Sequence, residues 1–239
     1  MTDAHEESLR SLVARGASAL AVDVRERDAP VTALVVASTL VVFVVQAVTA
    51  VRLNAPIGVV TASVFVSDPV LAWVLSPLLH RDLGHLVANV VVLAFVGTVV
   101  EPHFRRRDYV AFLLAAAVLA GLGGYLSKAA FTGRPVTAYG ASGLAYAVAG
   151  YALGVPVTGV PLDRDALSMY GVLDRTTPGE RVAAVFGVAA AATVLADVAT
   201  GPYLSFDWLN GAHLVGLLVG VWTAWTHRLH RRRRDDHER

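Results

Sequence analysis

The chain has 239 residues, 55% hydrophobic and 16% charged, with a formal net charge of +1 and no cysteine; its mean hydropathy is +0.57. A soluble domain normally carries about a quarter charged residues, so the composition points to a membrane protein, and the near-zero charge offers no field for nucleic acid. The lack of cysteine excludes disulfides, thiolate catalysis and cysteine metal sites.

The N-terminal segment, 1–29, is polar and charged, with Glu6, Glu7, Arg10, Arg15, Asp23, Arg25, Glu26, Arg27 and Asp28. It has neither an apolar core nor a cleavage site, so no secretory signal is expected. A short amphipathic segment over 8–22 and a disordered tail fit it equally.

Six spans are expected, at Val31–Val51 after Pro30, Leu83–Val100, Tyr109–Leu126, Ala138–Gly154, Val182–Ala199 and Gly211–Thr226. Several are short for a hydrocarbon layer of roughly 30 Å, which suits helices surrounded by other helices. The link 52–82 holds apolar stretches at Ile57–Val66 and Val70–Leu79, broken by Pro56, Pro69 and Pro77. It is too apolar for a solvated loop and too interrupted for a span, so it is expected in the interface or against the helices. The fold class is thus an all-α membrane protein. A six-span domain fills 30–227, between the tail 1–29 and a basic tail 228–239.

Arginines set the orientation. Arg105, Arg106 and Arg107 lie in one link, and Arg228, Arg231, Arg232, Arg233, Arg234 and Arg239 follow the last span. The other side carries only Arg52, Arg81, Lys128 and Arg134. The positive-inside rule then places both termini in the cytoplasm. The basic tail reads as a stop-transfer cluster, with contact to anionic lipid as the alternative. The expected location is multi-pass, in the cell membrane, with the bilayer as a partner.

Polar groups inside spans are costly, so each is a candidate for function. His80, His85 and Asn89 lie where the second span begins, with 85 and 89 on one helical face. Gly140-Ala141-Ser142-Gly143 opens the fourth span, and Tyr146 shares a face with Ser142. His213 follows Gly211-Ala212 in the sixth, ahead of Gly216 and Gly220, small residues that let helices approach closely. Singly, the serine reads as a small packing residue, the histidine as an interhelical hydrogen bonder and Tyr146 as an ordinary aromatic. Together they fall at one depth, because the second, fourth and sixth spans run in the same direction. Without carboxylates, His85 and Asn89 make a poor zinc set, so no metal is expected.

These residues resemble the rhomboid family of intramembrane serine proteases. The His80, His85, Asn89 spacing, Gly97 with Glu101, the Gly140–Gly143 motif with Tyr146, and Ala212-His213 with Gly216 and Gly220 occur in the family's order on the family's spans. The resemblance covers about 31–227. One departure is that Trp73 is followed by Val74, where the family's first loop often carries Trp-Arg. The resemblance implies a Ser142–His213 dyad, since no carboxylate adjoins either motif and Asp197 reads as an interface residue. It implies ring packing of Tyr146 on His213, and an oxyanion hole from His85, Asn89 and the Ser142 N–H. His80 would brace the first loop, Glu101 would be a structural hydrogen bonder, and Gly140, Gly143 and Gly216 would support the packing. It implies no cofactor. Its substrates would be transmembrane helices of other proteins, cut at a small residue near helix-weakening Gly or Pro, entering by movement of the fifth span and a cap over the site. The runner-up is a non-proteolytic rhomboid-like protein that binds membrane clients. A small transporter would need paired charges or broken helices near the midplane.

Overall fold

The computed structural model of the chain describes residues 2–67, 73–132, 139–155, 174–204 and 210–235. Among them every regular element is helical: α1 (Thr2–Arg25), α2 (Pro30–Leu53), α3 (Ile57–Ser67), α4 (Leu83–His103), α5 (Arg106–Thr132), α6 (Ser142–Gly154), α7 (Pro178–Leu204) and α8 (Gly211–Asp235). The positions Pro69, Val70, Arg134, Ala138 and Arg239 lie outside the described residues, as do the side chains of Arg228 and of Arg231 to Arg234.

Helices stand at each expected span. Four of them, α2, α4, α5 and α7, are long and apolar enough to cross a membrane. α6 has only 13 residues, about 20 Å of rise, and α8 mixes His213, His227 and Arg228 into its apolar sequence. The outward faces carry large apolar side chains, such as Leu34 and Val41 on α2, Leu114 on α5, Leu195 on α7 and Trp222 on α8, all more than half exposed. In water such a surface would be a severe liability; in lipid it is the solvent-facing side. The chain is an all-helical integral membrane protein.

α6 is the axis of the bundle. All of its residues but Tyr146, Leu153 and Gly154 are buried. Its length follows from that position: a helix walled in by α5, α7 and α8 need not span the hydrocarbon by itself. The close packing rests on small residues. A Cβ added at Gly216 of α8 would collide with the Gly143 carbonyl, and one at Gly220 with the Ala147 carbonyl. The two helices touch backbone to backbone there, the geometry that small residues permit in lipid.

Local chemistry sets several element ends. Pro30 occupies the first turn of α2, where its missing N–H has no cost. Asn54 ends the helix in the left-handed conformation (φ 48). The Asp82 carboxylate caps α4 by accepting the His85 N–H at 2.8 Å. Thr177 and Glu180 form a reciprocal capping box at the start of α7: the Thr177 N–H donates to the Glu180 carboxylate (2.9 Å) and the Glu180 N–H to the Thr177 hydroxyl (3.3 Å).

The described parts of the link, 52–67 and 73–82, lie against the helices as expected, and part of them is helical. Pro56 immediately precedes α3 and Pro77 sits within the single turn Ser76–Leu78. Val60, Thr61, Ser76 and Leu79 of this link are buried. Trp73 lies close to Gly121 on α5. Of the two readings for the N-terminal segment, the helix is found, and it is longer than 8–22.

The end of the bundle away from the serine is closed by polar and aromatic contacts. Glu101, buried, accepts the Val31 N–H (3.0 Å) and the Thr32 N–H (2.7 Å), so it caps α2 from α4. This is the structural role that the resemblance implies. Arg27, just after α1, donates to Asp23, to the Thr177 hydroxyl and to the Val99 carbonyl, while Asp23 accepts the Gly179 N–H at 2.7 Å. Phe104 packs between Tyr109, Phe112, Tyr151 and His227.

Candidate active site

The three polar clusters meet in one cavity of about 540 Å³. Ser142, Gly140, Gly143 and Tyr146 line it from the start of α6, His85 and Asn89 from α4, and His213 with Asn210 from the start of α8. Gly216 lies behind Gly143 in the α6–α8 contact, and His80, fully buried, stands against Asn89 and Ala141 outside the lining. His85, Asn89, Ser142 and His213 thus line one cavity. Among its described lining residues none is a carboxylate; the charged ones are Arg81 and Lys128. Asp197 does not line it.

Ser142 is the first residue of α6, buried, with Ala141 in the capping position. Its backbone N–H belongs to the first turn, where N–H groups have no partner within the helix. The turn before it needs Gly140. That residue has φ +121, which side-chain-bearing residues rarely adopt. A Cβ there would also stand 2.5 Å from Cε1 of His85. Gly140 therefore sets the approach to the serine and leaves room for the His85 ring. Its N–H donates to the Ser76 carbonyl at 2.7 Å, tying this turn to the first link.

His80 is fully buried and joins three elements. Its Nδ1 lies 3.1 Å from the Leu78 carbonyl, which can only accept, so Nδ1 carries the proton. Nε2 is then the acceptor for the Asn89 amide at 3.3 Å and the Ala141 N–H at 3.5 Å. Gln46 of α2 grips the His80 backbone, donating to its carbonyl (3.0 Å) and accepting its N–H (3.1 Å). These bonds tie His80 to the turn before α4, to α4 and to the turn before α6, and Gln46 adds α2. Burial of the ring holds its pKa down at about 4, so it is a neutral scaffold at physiological pH.

Asn89 also donates to the His85 carbonyl at 2.9 Å. Both N–H groups of its amide are therefore engaged, the weaker contact being that to His80. The His85 ring tilts against His80, with centroids 5.1 Å apart, and its buried Nδ1 has no hydrogen-bond partner.

His213 lies flat on Tyr146, with ring centroids 4.1 Å apart and planes 3° from parallel. Its Nε2 is 3.1 Å from the Asn210 amide nitrogen, and its buried Nδ1 has no partner. The structure brings Ser142 and His213 to the same cavity without a hydrogen bond between them; Asn210 holds the imidazole nitrogen instead. Two residues that hold His80 and His213 in place are not singled out in the sequence reading. Gln46 is one polar residue in an apolar span. Asn210 stands directly before a small-residue helix start, and that capping position was the signal that could have found it.

An apolar helical bundle enclosing a polar cavity, with a serine and a histidine on adjacent helices, defines a class of integral membrane proteins with a buried hydrophilic site. A family model described as Rhomboid domain matches residues 68–230, and the chain belongs to the rhomboid family. Among curated proteins it is similar to the presenilin-associated rhomboid-like protein, mitochondrial, of Rattus norvegicus, 31% identical over 163 residues, 66% of this chain and 40% of that protein. The Mus musculus and Homo sapiens proteins of the same name are 30% and 29% identical over 163 residues, again 66% of this chain and 40% and 39% of theirs. The chain thus spans about two fifths of the length of these relatives.

Proposed function

We propose that the chain is an intramembrane serine endopeptidase whose nucleophile is Ser142 and whose general base is His213. The observation that carries this reading is the convergence of Ser142, His213, His85 and Asn89 on one cavity within a rhomboid bundle. The bundle crosses the membrane six times, with α6 enclosed by the other helices and α8 packed along it with one face outward, and both termini face the cytoplasm. The cavity then opens to the opposite side. The relatives are mitochondrial by name, which lends the cell membrane no support, so the location proposed is an integral position in a membrane and nothing narrower.

A serine hydroxyl is a weak nucleophile until a base removes its proton. In the proposed step His213 Nε2 takes the Ser142 proton as Oγ bonds to the scissile carbonyl carbon. The same proton then passes to the leaving amine as the C–N bond breaks, and water repeats the sequence to release the acyl group. Oγ reaches Nε2 by displacing the Asn210 amide. Tyr146 fixes the imidazole plane, a task that a buried carboxylate performs in a triad.

The carbonyl oxygen gains negative charge and needs donors. The unpaired Ser142 N–H at the helix start, the His85 imidazole and the Asn89 amide lie around the same space. Asn89 turns to the oxyanion by giving up its long contact with His80. A preorganised donor of this kind is worth about 10²–10³ in rate. The substrate is a membrane helix locally unwound at a small residue, admitted by movement of α7.

Cleavage of a reporter transmembrane protein by the purified chain in detergent, abolished in Ser142→Ala and in His213→Ala, tests the proposal. Binding of the reporter without cleavage would instead indicate the non-proteolytic, client-binding reading.

A further inference from the structure

His213 has no acidic partner. A Ser–His pair needs one thing that the acid normally supplies: the proton on Nδ1 and the lone pair on Nε2, facing the serine. Neutral imidazole has two tautomers, and the hydrogen bond made by one nitrogen decides which is present. Nδ1 of His213 is buried without a partner, so it cannot decide. The deciding contact is on the other nitrogen.

That contact comes from Asn210, whose side chain does two things at once. Its Oδ1 accepts the Ala212 N–H at 3.2 Å, capping α8, and its Nδ2 stands 3.1 Å from His213 Nε2. The cap fixes which way the amide points. Turned over, the amide would set its NH₂ group against the Ala212 N–H, donor against donor. With Oδ1 on the helix, Nδ2 must donate, and Nε2 must accept. The backbone leaves little freedom, because the His213 and Leu214 N–H groups both donate to the Asn210 carbonyl, at 3.0 and 3.2 Å.

We infer that Asn210 is a positioning residue that holds His213 as the Nδ1–H tautomer, keeping the Nε2 lone pair turned into the cavity. The inference rests on the protease reading for its consequence and on the Asn210–His213 geometry for its substance. The amide keeps the base neutral and capped at rest, since an imidazolium would set an N–H against an N–H. When a substrate occupies the cavity, the Ser142 hydroxyl takes the place of the amide on the same lone pair, and the tautomer is already the one that accepts a proton. The other titratable groups around the ring are His85 on α4, Lys128 on α5 and Tyr146 on α6, with Asp197 on α7 interacting with Tyr146. None of these is bonded to either imidazole nitrogen.

Asn210→Asp separates this role from capping. Aspartate caps a helix as well as asparagine does, but its carboxylate only accepts. It would pull the proton onto Nε2 and occupy the lone-pair side. The experiment compares wild type, Asn210→Asp, Ser142→Ala and His213→Ala, labelled with ¹⁵N-histidine in detergent. Imidazole ¹⁵N shifts, thermal unfolding, and kcat and KM on a reporter transmembrane substrate are measured. His213 signals are those missing in His213→Ala. The expected result is a neutral Nδ1–H ring in the wild type and an Nε2–H or doubly protonated ring in Asn210→Asp. The unfolding temperature should hold, kcat should fall by about 10²-fold or more, as for other wrong-tautomer bases, and KM should stay within about twofold. Wild-type kcat in Asn210→Asp, or an Nε2–H ring in the resting wild type, overturns the inference. If the wild type cleaves no more than Ser142→Ala, the protease reading fails by itself, and the ¹⁵N shifts still decide the tautomer.

Discussion

Tyr146 and His213 stack face to face, 4.1 Å between centroids and 3° from parallel, across the contact between α6 and α8. The helices approach backbone to backbone at Gly143, one turn before Tyr146 on α6, and Gly216, one turn after His213 on α8, and that approach lets the rings meet. Packing in the bundle thus fixes the plane of the imidazole, and the amide of Asn210 fixes its protons.

The stack makes the first prediction. Aromatic pairs contribute about 0.5–1.5 kcal/mol beyond burial, and 1.4 kcal/mol is about tenfold in rate. Tyr146→Phe should retain most of kcat, because the ring remains. Tyr146→Leu should lower kcat by about tenfold with a smaller effect on KM. Steady-state cleavage of a reporter transmembrane substrate measures both, and equal activity in the two variants would show that ring stacking plays no part.

The helix approach makes the second. A side chain at Gly216 must push against the Gly143 carbonyl, and overpacking costs typically about 1–3 kcal/mol. Gly216→Val should lower the unfolding temperature in detergent and reduce cleavage, since it displaces His213 from Ser142. A fully stable, fully active Gly216→Val would contradict the packing described.

Most of the fold was legible in the sequence because its signals are local. Uncharged apolar runs mark the helices, and the Gly140–Gly143 and Ala212–His213 motifs mark residues that line the cavity. What stayed illegible depends on distant partners. Gln46 gains meaning only when the His80 backbone is seen against it, and the partners of Glu101, though not its structural role, appear only where it meets the start of α2, some 70 positions earlier in the chain. The π turn over Leu93–Gly97 inside α4 has no marker in its composition. α1 stays open in the sequence because it is largely polar and carries no long apolar run; what holds its end is the Asp23 and Arg27 contact with the start of α7.

That contact makes the third prediction. Burial alone would raise the Asp23 pKa, but hydrogen bonds from Thr177 and the Gly179 N–H, together with the Arg27 charge, outweigh it and hold it below its ordinary 3.8. A depressed carboxylate stabilises the fold fully above pH 3.8 and ceases to do so as the pH falls through its lower folded value. Docking of α1 should therefore be pH-independent near neutrality and weaken only below pH 3.8. Asp23→Ala should loosen it at neutral pH, by about 1.5–3 kcal/mol for the lost charged hydrogen bonds. Hydrogen exchange of residues 23–27 and 176–180 measures it, and unchanged protection in Asp23→Ala would contradict it.

Glu101 makes the fourth. Glu101→Gln replaces one acceptor by a donor, so one of the Val31 and Thr32 N–H groups loses its partner. A buried donor left unpaired costs about 1–3 kcal/mol. The unfolding temperature should fall, while kcat at a temperature where the variant stays folded should match the wild type, because Glu101 is no part of the cavity lining.

The most direct test of the central claim is cleavage of a reporter transmembrane protein by the purified chain, followed by gel and by mass of the products, for wild type, Ser142→Ala and His213→Ala side by side. The account requires a single cut within or near the reporter's membrane span by the wild type and none by either variant. Equal cleavage by Ser142→Ala would contradict it.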